Sequence, residues 1–412
     1  MPTTVVERFG ATSATACKKE ATFGTPVTGV AGDFTAMEGN SLNLDPGLFW
    51  PKIIVGQRDA NVFPLYGQFK NAGSLDMALM PTNAAAIIPG TLGADAAIGF
   101  GITGASPTTA NTVNGGTTAG ATTVTLTSAT GYTVGTFIQV DVNLANTTTS
   151  EVRKITNVAT NVLTLDAPLV YGHLSGAATA KVVAPFTHSI TQTNFSLPSF
   201  TIEKNLGGFE ALQFAGARFS KLDLKCQATN SEVTVSADVM AKSATVLTTP
   251  TTPVLNNELP YQFAECAVSL FGNAVNQAST AELTLSNTLK DTYTMNSSHN
   301  LNFLSPVARV VDLKSDIVFT SLDDPTWGYF TLMQNQALST QAAGAFNLSI
   351  THPNNAGAWA FSCPTCYIKS YSDSIKIDDI IISSVAMDAA LNVTTNVTMT
   401  ASLVSPSVYL AY

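Results

Sequence analysis

Charge is scarce in this chain of 412 residues. Lys and Arg total 19 and Asp and Glu 28, so only 11% of residues are charged, against about 25% in an average soluble domain. That excludes a long helical or coiled-coil protein, which needs Glu, Lys and Arg in quantity. With 45% apolar residues the chain is also unlike a disordered one, which pairs low hydrophobicity with high net charge. The net charge of −9 and the dispersal of Lys18, Lys19, Arg58, Lys70, Lys154, Arg218, Lys225 and Arg309 leave no basic stripe for tight nucleic-acid binding. Long apolar runs are missing too. The stretch IIPGTLGADAAIGFGI (87–102) is broken by Gly, Pro and Asp and falls short of the roughly 20 residues that span a bilayer. The start, MPTTVVERFG, lacks the basic-then-apolar pattern of a secretory signal, so synthesis and assembly in the cytoplasm are expected. Five cysteines (Cys17, Cys226, Cys266, Cys363, Cys366) are an odd and scattered set, not a disulfide framework. Low charge gives little self-repulsion, which points to a subunit that ends against other copies of itself.

What is present is alternation. Residues 122–127, 137–142, 221–225 and 232–239 each place polar and apolar groups on opposite faces with period two, the pattern of half-buried strands. Gly, Pro and Asn clusters punctuate them. The fold class expected is all-β with minor α. Residues 324–335 (DPTWGYFTLMQN) read as a helix with an Asp N-cap and Pro in its first turn, and 63–69 (FPLYGQF) as a short helical turn. A Thr-rich segment, 107–183, reads as a small inserted β domain. It opens on a Gly/Thr/Asn run (TTANTVNGGTTAGA) expected to be a flexible linker. A second extended linker is expected over 242–260.

With the insert removed, an internal duplication emerges. Leu42-Asn43-Leu44 resembles Leu283-Thr284-Leu285, and Ser74-Leu75-Asp76 resembles Ser315-Asp316-Ile317, both 241 residues on. Phe214 matches Phe361, Ser236 matches Ser383 and Met240 matches Met387, each 147 residues on. A fixed offset within each part favours duplication over chance similarity. The domains expected are 1–106 with 184–245, the insert 107–183, and 246–412.

Catalytic signatures are sparse. Cys363 and Cys366 have metal-like spacing but no second Cys/His pair, and Pro364-Thr365 between them suggests a turn. His173, His188, His299 and His352 accompany no nucleophile elbow or metalloprotease motif. The pair Asp323-Asp324 precedes Pro325 and reads as a helix cap. Asp378-Asp379 follows an alternating strand. No phosphate-binding loop is present, and Gly99–Gly101 lacks the strand–helix context of a dinucleotide site. No catalysis, cofactor or metal is expected. Asp76, Asp223, Glu232, Asp238, Asp316, Asp378 and Asp379 fall on or beside strand patterns. If those strands line a ring they give it an acidic bore; the alternative is ordinary solvation of strand faces.

Three stretches carry a resemblance. Cys17 to Val30 (CKKEATFGTPVTGV) is similar to the K-K-E-x-T-Y-G-T-P opening of the tail tube proteins of long-tailed bacteriophages. Leu197 to Cys226 resembles that family's L-P-S-x-T-I-E segment and the strand pair after it. Ser231 to Ser243 (SEVTVSADVMAKS) resembles its closing strand. The resemblance implies a virion structural protein, a β-sandwich whose strands close into a barrel around a pore. It implies rings that stack into a tube, with a tape-measure protein setting its length and terminator and tail-tip proteins at its ends. Double-stranded DNA passes through without specific binding, and no membrane is involved. A duplicated chain implies a trimeric ring with pseudo-six-fold symmetry, a hexamer being the alternative, and an insert displayed outside. A secreted or surface-layer adhesin and a β-rich glycan-active enzyme are the competing readings.

Overall fold

In a computed structural model the described residues are 13–28, 34–52, 63–96, 111–140, 151–182, 186–192, 196–253, 259–318, 328–334, 343–351, 357–375 and 380–405, less the single positions 82, 167, 170, 209, 230, 297 and 332. The fold is all-β. One large antiparallel sheet system carries most strands, and a separate six-stranded sheet lies within the insert.

Two strands organise the large system, Ala211–Gln227 and Ala358–Ser374, each 17 residues long. The first half of 211–227 pairs with Phe200–Asn205 and with Ser243–Leu247. Its second half pairs with Thr234–Ala241 and with Ala278–Thr292. The register slips between Phe219 and Lys221, and a bulge of this kind bends and re-aims a strand so that it can serve two sheets. Strand 358–374 repeats the plan. It pairs first with Gly344–Thr351 and Thr400–Ser405, then with Ile382–Ala389, with a slip between Ile368 and Ser370.

The inner series runs 39–45, Lys70–Ala78, 234–241, 218–227, 278–292, Phe303–Val318, 382–389 and 366–374, each hydrogen-bonded to the next. Asp76 opposes Ser236 as Asp316 opposes Ser384, and Ser236 opposes Asp223 as Ser384 opposes Ser372. The register between these strands is met both at offsets of 240 and 148 and at the 241 and 147 read from sequence, since Ile317 opposes Ser383 as Asp316 opposes Ser384. The face decides between them: Ser383 is buried whereas Ser236 and Ser384 are half-buried, so offsets of 240 and 148 keep the same side of the sheet. With the 240 offset for strand 70–78, Asn43 opposite Ala72 corresponds to Thr284 opposite Asp312, which aligns Leu42 with Leu283.

Inward side chains of both halves, among them Leu75, Val235, Leu222, Leu283, Leu313 and Val385, join one continuous apolar cluster. A buried helix, Ile87–Leu92, lies under it; sequence reading missed it because six residues show no period. Gly90 lets the helix approach closely, for a Cβ there would stand 2.5 Å from the Phe219 ring. Its terminal carbonyls are satisfied from the other half of the chain: Asn287 Nδ2 donates to Thr91 O at 2.9 Å and Arg309 donates to Leu92 O at 2.9 Å.

Several expectations are corrected. Residues 65–66 form a strand with 48–49, not a helical turn, because Gly67 N–H bonds back to Gly47 O at 3.1 Å and closes a ribbon. The linker expected over 242–260 contains strand 243–247, paired along 211–215. The linker expected to open the insert contains strand Asn111–Thr112 and the buried Val113. Cys363 and Cys366 are not in a turn; they sit fully buried at the bulge facing Gly344 and Phe346. Helical residues occur at 328–331 and 333–334, while Asp323, Asp324, His352, Asp378 and Asp379 lie outside the described residues.

The insert has its own core of Val124, Leu126, Ile138, Val140, Ile155 and Leu163. The strands flanking it, Gly93–Ala96 and Phe186–Gln192, pair antiparallel with Ala96 opposite Ser189, so its two connections are close in space. Replacing 107–183 by a short Gly/Ser link is expected to leave a folded β-protein with cooperative unfolding by circular dichroism; loss of cooperative unfolding would contradict a self-contained insert.

Candidate functional site: a charged sheet face and its anchor

The face of the inner series turned away from the core is polar because alternate residues must point there. Ladder registers align these residues into rows. One row reads Asp76, Ser236, Asp223, Thr284, Asp312 and Asp388 across six strands. Ser236 Oγ donates to Asp76 Oδ1 at 2.5 Å and Thr284 Oγ1 to Asp223 Oδ1 at 2.7 Å. Lys369 Nζ bridges Asp312 at 3.2 Å and Asp388 at 3.0 Å. On one side, Asp238 opposes Lys221, whose Nζ is 2.5 Å from Asp223. On the other, Lys225 pairs with Glu282 at 2.9 Å, and Glu282 opposes Lys314. In the row beyond, Asp316 accepts Ser384 Oγ at 2.6 Å and lies 3.5 Å from Lys314 Nζ.

Of the seven carboxylates singled out in the sequence, Asp76, Asp223, Asp238 and Asp316 stand on this face. Glu232 adjoins it beside Glu38. Sequence reading missed Glu38, Glu282, Asp312 and Asp388. The alternation of 278–285 and 382–389 is the signal that points to Glu282 and Asp388. These nine carboxylates meet four ammonium groups, Lys221, Lys225, Lys314 and Lys369, so the rows keep a negative excess.

Titration reflects this packing. Burial, then the Glu232 and Asp76 carboxylates, push Glu38 above the ordinary carboxylate range. Burial also acts to raise Asp316, but hydrogen bonds from Ser384 and Thr280 and the Lys314 ammonium outweigh it and hold Asp316 low. The Asp223 carboxylate raises Lys221.

Behind the face lies an anchor built from the three quoted stretches. Strand Ala14–Lys19 pairs with 200–205 and delivers Glu20 to a buried position. Glu20 Oε1 accepts Thr201 Oγ1 at 2.9 Å and Gly216 N–H at 2.8 Å, and Oε2 accepts Gly24 N–H at 2.8 Å. Gly216 holds φ of +66°, a left-handed conformation open to glycine. Arg218 stands over the Phe23 ring at 4.8 Å and Lys242 at 5.5 Å. The K-K-E opening is thus legible as one carboxylate tying three backbone segments.

The remaining candidates are scattered. His173 is buried in the insert and His188 on strand 186–192. His299 stacks on Phe69 at 5.0 Å, its Nδ1 2.8 Å from Gly67 O. Hydrogen bonding with Cys366 and burial push the Cys363 thiol up, a setting in which a thiol is inert. Among the described residues no group of three or more His, Cys, Asp or Glu is arranged to hold a metal ion.

Two outcomes follow. Glu20→Ala strands three donors, two of them buried, and is expected to cost about 3 kcal/mol in urea unfolding, with Glu20→Gln retaining part of it; an unchanged midpoint contradicts the anchor. The raised Glu38 favours the folded state only while protonated, so its contribution is present below its ordinary value near 4.5 and lost as pH rises. Glu38→Gln is therefore expected to raise Tm at pH 7, with the gap closing toward pH 4.

A family model described as phage tail tube protein matches residues 10–404. No curated protein matches the chain.

Proposed function

The chain belongs to the phage tail tube protein family, a virion structural family, and from that premise we propose that it assembles into stacked rings forming a tail tube whose bore is lined by the charged face. The observation that carries this reading is the alignment of Asp76, Asp223, Asp312 and Asp388 in one row of a continuous ladder. A duplex approaching such a face meets charge of its own sign. Affinity for DNA comes from Lys and Arg neutralising phosphates with release of counterions, and here the ammonium groups are already engaged by carboxylates. DNA slides through such a bore without sticking. Interleaved lysines keep the carboxylates from repelling the subunits apart.

The repeated ladder supports two tandem tube units, 1–106 with 184–245 and 246–412, and hence a trimeric ring with pseudo-six-fold symmetry in preference to a hexamer. The insert, with its own core, is displayed on the outside. The tape-measure, terminator and tip proteins are the partners expected of a tail tube, and assembly takes place in the host cytoplasm. The role proposed is structural, with no reaction to catalyse, and the family match favours it over the adhesin and glycan-enzyme readings.

Purified protein is expected to form rings and tubes by electron microscopy, with a ring mass of three chains by mass photometry. Six chains contradict the trimer, and a persistent monomer at high concentration contradicts the tube. Asp76→Lys with Asp238→Lys is expected to leave tubes intact but to slow genome ejection from the virion, most at low salt. Unchanged ejection at low salt contradicts a bore-lining face.

A further inference from the structure

The junction between the two halves of the chain is a ladder in which Lys221 opposes Ser286, Asp223 opposes Thr284 and Gln227 opposes Thr280. The equivalent edges at the two ends of the inner series carry no such ladder among the described residues. Strand 39–45, the counterpart of 280–286, pairs only with 70–78. Residues 367–374, the counterpart of 218–225, pair only with 382–389. Apolar side chains register the difference. Leu285 is 0% exposed in the junction while its counterpart Leu44 is 37% exposed, and Cys226 is 4% exposed while its counterpart Ile375 is 77% exposed.

We propose that a second copy of this chain docks its 39–45 edge antiparallel to the 367–375 edge of the first, with Ser372 opposite Asn43 and Ser370 opposite Asp45. The proposal rests on the tube reading and adds the two edges and their register. The contact joins different surfaces head to tail, the kind that closes a ring when the rotation permits. Side-chain chemistry fits the register: Ser370, Ser372 and Ser374 meet Asp45, Asn43 and Ser41, small polar groups opposite one another as Asp223 and Thr284 are in the junction.

Backbone polarity fits as well. Ser41 N–H already donates to Ser74 O at 3.0 Å, so Ser41 and Asn43 face strand 70–78, and Leu42 and Leu44 face outward. Their outward groups are held by local caps. Leu42 N–H donates to Asn40 Oδ1 at 3.0 Å, Leu44 N–H to Asn43 Oδ1 at 2.9 Å, and Lys204 Nζ to Leu42 O at 3.0 Å. In the junction the counterparts of these residues, Leu283 and Leu285, oppose Leu224 and Leu222. Ala228 N–H donates to Ser279 O at 2.8 Å in the same register, which makes the even-numbered residues of 222–228 the hydrogen-bonded pairs. Leu42 and Leu44 thus present the groups that Asp373 and Tyr371 of another copy require. The caps blunt a free edge until a partner exchanges them for a ladder, as exposed edges demand.

The pairs Ser372 with Asn43 and Ser370 with Asp45 are then the non-hydrogen-bonded ones, with Cα atoms about 4.5 Å apart, within the span of a disulfide. Full-length Asn43→Cys/Ser372→Cys and Asp45→Cys/Ser370→Cys proteins are to be assembled, oxidised and run on non-reducing gels. Each pair is expected to give linked multimers, while single variants and Asp45→Cys/Ser372→Cys stay monomeric. Tubes without links, or links from the displaced pair instead, overturn the register while leaving the tube reading standing; absence of wild-type tubes overturns the tube reading itself. Should the variants fail to assemble, hydrogen exchange on the wild-type protein decides: peptides spanning 39–46 and 367–376 gain protection on assembly, and unchanged exchange in both overturns the proposal.

Discussion

Strand 211–227 has ladder partners along both edges for almost its whole length: 200–205 and 243–247 on its first part, 234–241 and 278–292 on its second. The rest of the structure depends on this saturation. A long strand in a chain poor in charge exposes backbone groups that must be paired, and period-two alternation then forces a core face and a polar face along the same strand. The bulge after Phe219 lets one strand serve both layers. The ladder to 278–292 makes the two halves a single sheet with a single core.

Much of this was legible in sequence, for a local reason. The alternation at 221–225 and 232–239 places Asp223 and Asp238 on one face wherever those strands go. What alternation does not encode is partner and register. The consecutive serines 383 and 384 offered two matches, both compatible with the ladder, and only the side each faces separates them. Bulges were invisible, so Cys363 and Cys366, three apart yet both buried, read as a turn. Strand 243–247 looked like a linker because it is half exposed, and helix 87–92 was too short to show a period. Glu20 stood in a quoted stretch, but its role needs Thr201 and Gly216, about 180 residues or more away.

The charged face and the anchor answer different demands. Glu20 is buried and its oxygens are taken by backbone and hydroxyl donors, so it acts on the fold. The carboxylates of the face are half exposed and interleaved with lysines, so their individual ion pairs add little stability and their worth lies in the summed field. Carboxylates and lysines alternate across neighbouring rows, which leaves the face an acidic excess without massing like charges side by side.

The central claim is that this face lines the bore. A cryo-electron microscopy map of the assembled tube tests it most directly. The account predicts the row of Asp76, Asp223, Asp312 and Asp388 around the inner wall, with the apolar cluster behind it and the insert outside. A tube carrying that row on its outer surface, or buried between stacked rings, would contradict it.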